Sequence, residues 1–240
     1  MLRLVSILLV TILIGCTGTP TETPVDPLQL LAQAAANIRA MDTFRMSVDL
    51  TGADYFIETE FNNVSFRHAV AQYVAPNVMQ ATVRVLVGSV PLDVEVFSRG
   101  ENQWFRAGLW TGGEWVNATF APGFNPEALI AQESGFQAAL NALIDLQMVG
   151  PEELEDGTPV YHLRALAKGE DVSALMVGLI NATGNVNVDV YIHRDEVYPV
   201  RFVIVQPDTV SEDEPEPTTW TVDVYDLNAE PDIDDPEAQS

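Results

Sequence analysis

Residues 43–51 read TFRMSVDLT, and the alternation within this stretch decides the fold class. The apolar positions are Phe44, Met46, Val48 and Leu50, and the polar positions between them are Arg45, Ser47, Asp49 and Thr51. Because successive side chains of a strand point to opposite faces, this period of two predicts an antiparallel strand with one buried and one solvated face. NVNVDVYIH (185–193) and WTVDVYD (220–226) repeat the pattern. The sequence therefore predicts a single-layer sheet with one apolar side that other segments must cover.

Further runs of this kind, separated by turn residues, predict the rest of the sheet. They fall at 54–61, 64–74, 77–88, 91–98, 102–106, 114–118, 145–155, 159–167, 185–193, 198–206 and 218–227. Eleven or twelve strands make a sheet long enough to curl.

Segments that could cover the apolar side are predicted at three places. The order Asp26-Pro27-Leu28-Gln29 supplies an N-cap acid and an N1 proline, which predicts a helix over 27–41. Asn125-Pro126-Glu127 opens a short helix, and Ser134-x-x-Gln137 has the spacing of a capping box. The helix after that box carries Phe136, Leu140, Leu143 and Ile144, and a fourth helix over 170–181 carries Val172, Leu175, Met176, Leu179 and Ile180.

The first residues of the chain predict a membrane anchor. An apolar run over 4–14 follows Arg3 and is shorter than the roughly 20 residues that span a bilayer, so 1–15 is predicted to be a signal peptide. Its end, LIGC (13–16), has the form of a bacterial lipobox, which predicts that Cys16 becomes the acylated N-terminus. Residues 16–26 then form a flexible tether, and the protein is expected on the extracytoplasmic face of the cell membrane. The alternative for Cys16, a buried thiol, has no second cysteine to pair with.

The charge of the chain excludes several partners. With 35 acidic and 11 basic residues the formal net charge is −24, which excludes nucleic acid and electrostatic adhesion to anionic headgroups. Residues 27–228 are predicted to form one domain, and 229–240, which end in PDIDDPEAQS, a disordered acidic tail. No calcium-loop spacing is present, so no metal site is predicted.

Catalytic motifs are absent from the sequence. His68, His162 and His193 fall in predicted strands, and neither a nucleophile elbow nor a phosphate loop is present. The sequence predicts neither catalytic residues nor a cofactor. The one alternative for an enzyme pairs His162 with Glu155 or Asp156 as acid and base.

Four stretches resemble the sequences of one known family, both in their residues and in their order along the chain. They are LLAQAAANIRAMDTFRMSVDLTG (30–52), NVMQATVRVLVGSVPLDVEVFSRGENQWFRAG (77–108), FNPEALI (124–130) and SGFQAALNALIDLQMVGPEELEDGTPVYHLRA (134–165). In them, and across about 28–227, the chain resembles the LppX/LprAFG family of bacterial lipoproteins.

The resemblance implies an α+β fold in which helices cover the concave face of a strongly curved single antiparallel sheet, a half-barrel, around a hydrophobic cavity. It implies a carrier that binds multi-acyl lipids or glycolipids, moves them between membrane and cell envelope, and hands them to an envelope transport partner. It implies no catalytic residues.

The candidate cavity wall is a group of apolar positions on the central hairpins, the helices and a late strand, each of which alone is typical of packed core. They are Val83, Val85, Val87, Val94, Val96, Leu140, Leu143, Ile144, Leu175, Met176, Leu179, Val188 and Val190. Two alternatives stay open: a structural or partner-binding surface lipoprotein with no transported ligand, and an unrecognised hydrolase.

The lipobox generates the first testable prediction. Because the Cys16 sulfur is the predicted site of acylation, Cys16→Ser should retain the signal peptide or release the protein from the detergent phase. Metabolic labelling with a palmitate analogue measures this, and a serine variant that still takes up the label would exclude Cys16 as the acylation site.

Overall fold

The computed structural model describes residues 25–58, 63–176 and 182–239. The predicted signal peptide and Cys16 lie outside these residues, as does most of the predicted tether. Within them, no helix has the length and hydropathy needed to cross a bilayer.

Twelve strands form one sheet, as the alternation predicts. They are β1 (Thr43–Thr51), β2 (Phe56–Glu58), β3 (Asn63–Val74), β4 (Val78–Val87), β5 (Val90–Arg99), β6 (Asn102–Arg106), β7 (Val116–Asn117), β8 (Ile144–Glu153), β9 (Pro159–Lys168), β10 (Asn185–His193), β11 (Pro199–Gln206) and β12 (Thr218–Tyr225). The α-helices are α1 (Pro27–Arg39), α2 (Gly108–Thr111), α3 (Gly135–Asn141) and α4 (Gly169–Val172), and 3-10 turns span Pro126–Leu129, Ser173–Met176, Pro207–Thr209 and Pro236–Gln239.

The strand order is β7-β6-β5-β4-β3-β1-β12-β11-β10-β9-β8, with β2 paired to β3. All pairs are antiparallel, and the first and last strands of the chain meet in the middle, where Val48 lies opposite Val222. The sheet is not closed, because its outermost strands β7 and β8 lie at opposite ends of this order. The prediction of a single antiparallel sheet with a few helices is confirmed.

Helix α1 begins where its caps predict. The Asp26 side chain accepts a hydrogen bond from the Leu28 amide at 3.0 Å, and Pro27 occupies the first turn, where no amide donor is needed. The helix ends at Arg39, two residues before the predicted end. Asn37 donates to the carbonyls of Glu196 and Val197 at 3.1 and 2.8 Å, which fixes the end of the helix to the β10–β11 turn.

The predicted capping box at Ser134 is wrong. Its hydroxyl donates to the Ala128 carbonyl at 2.8 Å and makes no hydrogen bond to the first turn of α3. That helix ends at Asn141, and Ile144, predicted on it, is the first residue of β8.

The predicted continuous helix over 170–181 is also wrong. The chain forms the four-residue α4 and then a 3-10 turn up to Met176, and 177–181 lie outside the described residues. Ser173 explains the break, because its hydroxyl donates to the Gly169 carbonyl at 2.8 Å and accepts from the Ala182 amide at 2.9 Å. These bonds fold the segment back between the paired strand ends Lys168 and Asn185.

The C-terminal residues 229–239, here called the strap, differ from the expected disordered tail because they cross the outer, convex face of the sheet. The Thr43 hydroxyl on β1 donates to the Ala229 carbonyl at 2.7 Å. Gln72 on β3 and Gln80 on β4 then accept from the amides of Asp232 and Asp234 at 3.2 and 2.7 Å. The strap thus runs across the strands one after another.

Two arginines on β5 and β6 hold the acids of the strap. Arg99 forms ion pairs with Asp235, at 2.5 Å, and with Glu237. Arg106 lies 2.9 Å from an Asp234 oxygen and also pairs with Glu95 on β5. Although partial burial opposes it, hydrogen bonds from Arg99 and from two backbone amides hold the pKa of Asp235 below its ordinary value.

Aromatic side chains lie on the convex face beside the arginines that hold the strap. Phe97 is fully buried, its ring centroid 5.6 Å from that of Trp104 and 6.3 Å from that of Trp115. The Arg99 and Arg106 guanidinium groups lie over the Phe97 and Trp115 rings at 5.5 and 4.5 Å. The two arginines that hold the strap thus also pack on these rings.

The strap generates the second prediction. Arg99→Gln removes both ion pairs to Asp235 and Glu237, so amide exchange over 232–237 should speed up while β10 stays protected. Because the folded pKa of Asp235 is depressed, the protection is present at neutral pH and is lost as the pH falls through that pKa. Hydrogen exchange with mass spectrometry, corrected for intrinsic rates, measures both effects.

Arg84→Gln is the matched control. Arg84 lies on the neighbouring strand β4 and pairs with Asp93 rather than with the strap. If both variants, or neither, expose the strap, the Arg99 contacts do not hold it.

Candidate functional site

The concave face of the sheet is the largest apolar surface of the fold. Alternate residues of β1, β3, β4, β10, β11 and β12 point inward and form one core with α1, α3 and α4. We call this the concave cluster. Three side chains at its centre, Met46, Val188 and Val222, have no solvent exposure.

The described part of this interior holds no charged Asp, Glu, Lys or Arg side chain. The buried polar side chains of the described residues are Thr43, Ser65, Ser98, Gln103, His162, Gln206 and Thr218. A buried charge without a partner is costly, whereas neutral polar groups need only a hydrogen bond. The concave side is thus chemically suited to hydrocarbon.

Two aromatic groups lie within the concave cluster. In one, the Phe44 ring stacks on Tyr73 at 4.8 Å and meets Phe136 edge-on at 5.8 Å. In the other, Trp220 contacts Tyr55 at 5.3 Å and Phe66 at 5.4 Å. Burial, with a smaller contribution from the charge of Glu127, raises the pKa of Tyr73 to about 12, so its hydroxyl stays neutral.

Small side chains lie on the concave face between the aromatic groups. Ala69, Ala71 and Ala81 are on adjacent strands, and each is no more than 3% exposed. Register places Ala69 opposite Val48 and Val83 on its two neighbouring strands. The side-chain layer on the concave face is thin here, because an alanine side chain extends only one carbon from the backbone. We call this part of the face the low surface.

The structure brings most of the predicted wall residues together in the concave cluster. Seven are buried: Val83, Val85, Val96, Leu140, Leu175, Val188 and Val190, all at most 5% exposed. Val87, Val94 and Leu143 are partly buried and pack against them. In this structure these side chains contact one another as core, so their role as the wall of a cavity stays a prediction.

Three of the predicted wall residues are not placed in the cluster. Ile144 is wrong as a wall position, because it opens β8 at the sheet edge and is 59% exposed. Nothing is described of the Met176 side chain, and Leu179 lies outside the described residues.

The described pockets lie at the β8–β9 edge, at the β9–β10 connection, beside the strap on the convex face, and at the loop before α3. One of about 450 Å³ is lined by Leu146, Arg164 and Leu166 of β8 and β9, among others, and another of about 450 Å³ lies beside Lys168 and Gly184. None of the predicted wall residues lines a described pocket.

Gln103 is an important residue that the sequence reasoning missed. Its side chain, 3% exposed, accepts from the amides of Phe120 and Ala121, both at 2.9 Å, and donates to the carbonyls of Ala121 and Phe124 at 2.8 and 3.3 Å. It therefore fixes the loop after β7, from which Phe120 and Phe124 pack on the concave cluster. Its place in a short strand gave no signal, because the partners are backbone groups.

The histidines lie away from the concave side. His162 contacts Glu152 at 2.9 Å and Asp189 at 2.6 Å and stacks on Tyr191, within the ion pairs of β8, β9 and β10. The acids that the sequence proposed for it are engaged elsewhere: Glu155 pairs with Arg201, and Asp156 accepts from the Thr158 amide. The hypothetical acid–base pair is not assembled. Across 25–58, 63–176 and 182–239, no group of three or more potential ligands could hold a metal ion.

The chain is similar to a family of lipoproteins and to two of their solved structures. The model described as LppX_LprAFG lipoprotein matches residues 26–232. LprF from Mycobacterium bovis is 13% identical, with a TM-score of 0.63, over 88% of this chain and 96% of that one. LppX from Mycobacterium tuberculosis is 16% identical, with a TM-score of 0.55, over 86% and 97%. At such identities the structures show a shared fold, and no curated protein matches the chain.

The role of Gln103 generates the third prediction. Gln103→Leu keeps the size of the side chain but leaves four backbone groups without their partner, so the free energy of unfolding should fall by roughly 2–4 kcal/mol. Gln72→Leu is the control, because it removes one hydrogen bond on the convex face and should cost about 1 kcal/mol or less. Urea denaturation measures both, and equal losses would contradict the role given to Gln103.

Proposed function

Because the chain belongs to the LppX_LprAFG lipoprotein family, we propose that it is a lipid-binding lipoprotein, held on the extracytoplasmic face of the cell membrane by Cys16. Its ligand is an acylated lipid or glycolipid, which it carries between the membrane and the envelope. The acyl chains of this ligand occupy the concave side of the sheet.

One observation carries this proposal: the wide apolar face is covered mainly by short, separate segments. Among the described helices, α1 alone has an ordinary length, 13 residues, whereas α3 has seven and α4 has four. A cover of this kind can be moved piece by piece while the twelve-stranded sheet stays intact. Acyl chains would replace the cover above the low surface formed by Ala69, Ala71 and Ala81.

The energetics of transport require such a site. Each CH₂ group removed from water contributes about 0.8 kcal/mol, so a chain of roughly 16 carbons that leaves a membrane costs about 12 kcal/mol unless it is enclosed. An interior without charged side chains can enclose the acyl chain and so offset this cost. Such an interior sets no requirement on the charge of the lipid headgroup. The headgroup would remain at the rim, outside the uncharged interior.

The structural alternative is favoured by a different observation. The buried wall residues are packed, with Val188 and Val190 fully excluded from solvent. If no ligand ever displaces the cover, the concave cluster is an ordinary core and the protein is a structural or partner-binding surface lipoprotein. The two functions differ in whether the purified protein contains or accepts lipid.

Native mass spectrometry of the full mature chain, with extraction of bound lipid, tests the proposal. We expect a stoichiometric acylated ligand in addition to the anchor on Cys16. Val85→Trp places a large ring on the concave face, where it competes with the acyl chains, so lipid occupancy should fall several-fold.

Val70→Trp is the matched control. Val70 lies on the adjacent strand β3 but is 38% exposed on the convex face, so the same ring there should leave occupancy unchanged. Overpacking a closed core costs about 1–3 kcal/mol. If Val85→Trp is destabilised by that amount and the unsubstituted protein never yields lipid, the structural alternative replaces the carrier.

A further inference from the structure

Four large apolar side chains are exposed at one end of the sheet. They are Phe56 (53% exposed), Val90 (60%), Leu109 (80%) and Trp110 (57%), and we call them the end patch. Large apolar side chains exposed together on a soluble domain mark an interaction site more often than scattered single ones do.

Strand register places these residues at the same end. Val90 closes the β4–β5 hairpin opposite Val87. Phe56 lies opposite Ser65 on β3, and the same row continues through Leu86 of β4 to Pro91 of β5. Phe56 and Val90 therefore lie at one level of the sheet, three strands apart, with their side chains on opposite faces of that end.

Leu109 and Trp110 extend from the neighbouring strand toward the same level. Arg106, the last residue of β6, lies opposite Glu95 of β5. Because the two strands are antiparallel, the chain beyond Arg106 continues toward the Val90 end.

Helix α2 holds these two side chains in a fixed turn. The amides of Trp110 and Thr111 donate to the Ala107 carbonyl at 2.9 and 2.8 Å, and the Thr111 hydroxyl also contacts that carbonyl at 3.2 Å. Ala107 itself is buried, 1% exposed. The buried Ala107 therefore anchors the turn to the domain, and Leu109 and Trp110 face solvent.

Two acids near the end patch, Asp93 and Asp54, are paired with arginines, whereas Glu114, on the turn after α2, is exposed. Arg84 holds Asp93 through two hydrogen bonds of 2.8 and 2.9 Å, and Arg67 lies 2.7 Å from Asp54. These pairs lower the local negative charge in a chain whose net charge is −24. Because Asp93 and Asp54 are paired with arginines, an apolar surface can approach the end patch.

The β11–β12 connection, which lies at this same end of the sheet, carries exposed acids instead. Glu212, Asp213 and Glu214 are exposed there, and the Glu216 carbonyl accepts from the Ala53 amide at 3.1 Å, close to β2. A negatively charged surface is therefore repelled at one side of the end patch, whereas an uncharged one is not.

We propose that the end patch docks on the zwitterionic surface of a bilayer, an inference that rests on the proposed anchoring and lipid binding. The ten residues from Cys16 to Val25 extend at most about 35 Å, so the anchored domain is always within reach of the bilayer. An indole ring with an apolar body and one N–H donor suits the membrane interface, and Leu109 beside it enters the acyl region. Docking there brings the open sheet to the membrane from which the lipid is taken.

Quenching of tryptophan fluorescence by brominated lipids tests the docking. The full mature chain is reconstituted in phosphatidylcholine vesicles with bromine on the acyl chains. Trp110 is exposed, whereas Trp104 and Trp115 are half-buried and Trp220 is buried, so the quenched emission should come from Trp110. Trp110→Phe should abolish most of the quenching, and added phosphatidylglycerol should weaken it in the unsubstituted protein. An equal quenched fraction in Trp110→Phe, or stronger quenching with phosphatidylglycerol, overturns the proposal.

A second measurement follows the rate at which lipid moves from vesicles to the protein. Leu109→Asn combined with Trp110→Asn should slow this rate at least tenfold while lipid occupancy at equilibrium stays the same. Val149→Asn is the matched control, because Val149 is 48% exposed on the edge strand β8, outside the end patch, and should leave the rate unchanged. An unchanged rate in the double variant overturns the docking.

The two proposals fail in different ways. If no variant or unsubstituted protein ever contains lipid, the carrier function fails, and the bromine quenching still decides whether the end patch contacts the membrane. If lipid is bound and Trp110 is not quenched, the docking fails and the carrier function stands. Flotation of the vesicles reports separately whether the chain is anchored.

Discussion

The fold depends on one constraint: a single sheet that is apolar on one side must keep that side out of water. Alternation puts Met46, Val188 and Val222 on the same face across the middle of the sheet, where none of them is exposed. The cover over this face consists of α1 and several shorter segments, each fixed by a few polar contacts such as those of Asn37 and Gln103. The interior is therefore wide and neutral, and its boundary is made of separable parts. This arrangement serves a ligand with acyl chains better than it serves catalysis.

The convex face follows a different physical rule. Most of the chain's few basic side chains pair there with acids of neighbouring strands or of the strap, as Arg201 does with Asp223 at 2.6 Å. Exposed pairs of this kind add little stability each. Their larger effect is on the surface, because they restrict the excess negative charge to loops and to unpaired acids. Two of these pairs, Arg84–Asp93 and Arg67–Asp54, lie near the end patch.

Much of the fold and part of the site could be predicted from the sequence. The strand limits at 43–51 and 185–193 agree residue for residue, since the period of two persists through both. The limits at 102–106 also agree, although NQWFR does not alternate. Short helices were predicted less well, because a pattern such as 170–181 only states which side chains would share a face. Whether the backbone continues as a helix depended on Ser173, whose hydroxyl bonds to Gly169 and Ala182.

The sequence by itself determined the one-sided sheet, the membrane-anchor motif and the apolar set from which an interior is built, because these depend on local periodicity and composition. Only the tertiary structure decided which of these residues meet. It removed Ile144 from the interior, placed the acidic C-terminal strap on Arg99 and Arg106, and brought Phe56 of β2, Val90 of β5 and Trp110 of α2 to one end of the sheet. Such neighbours are far apart along the chain, and strand register and the curvature of the sheet bring them together, neither of which is encoded in any single stretch.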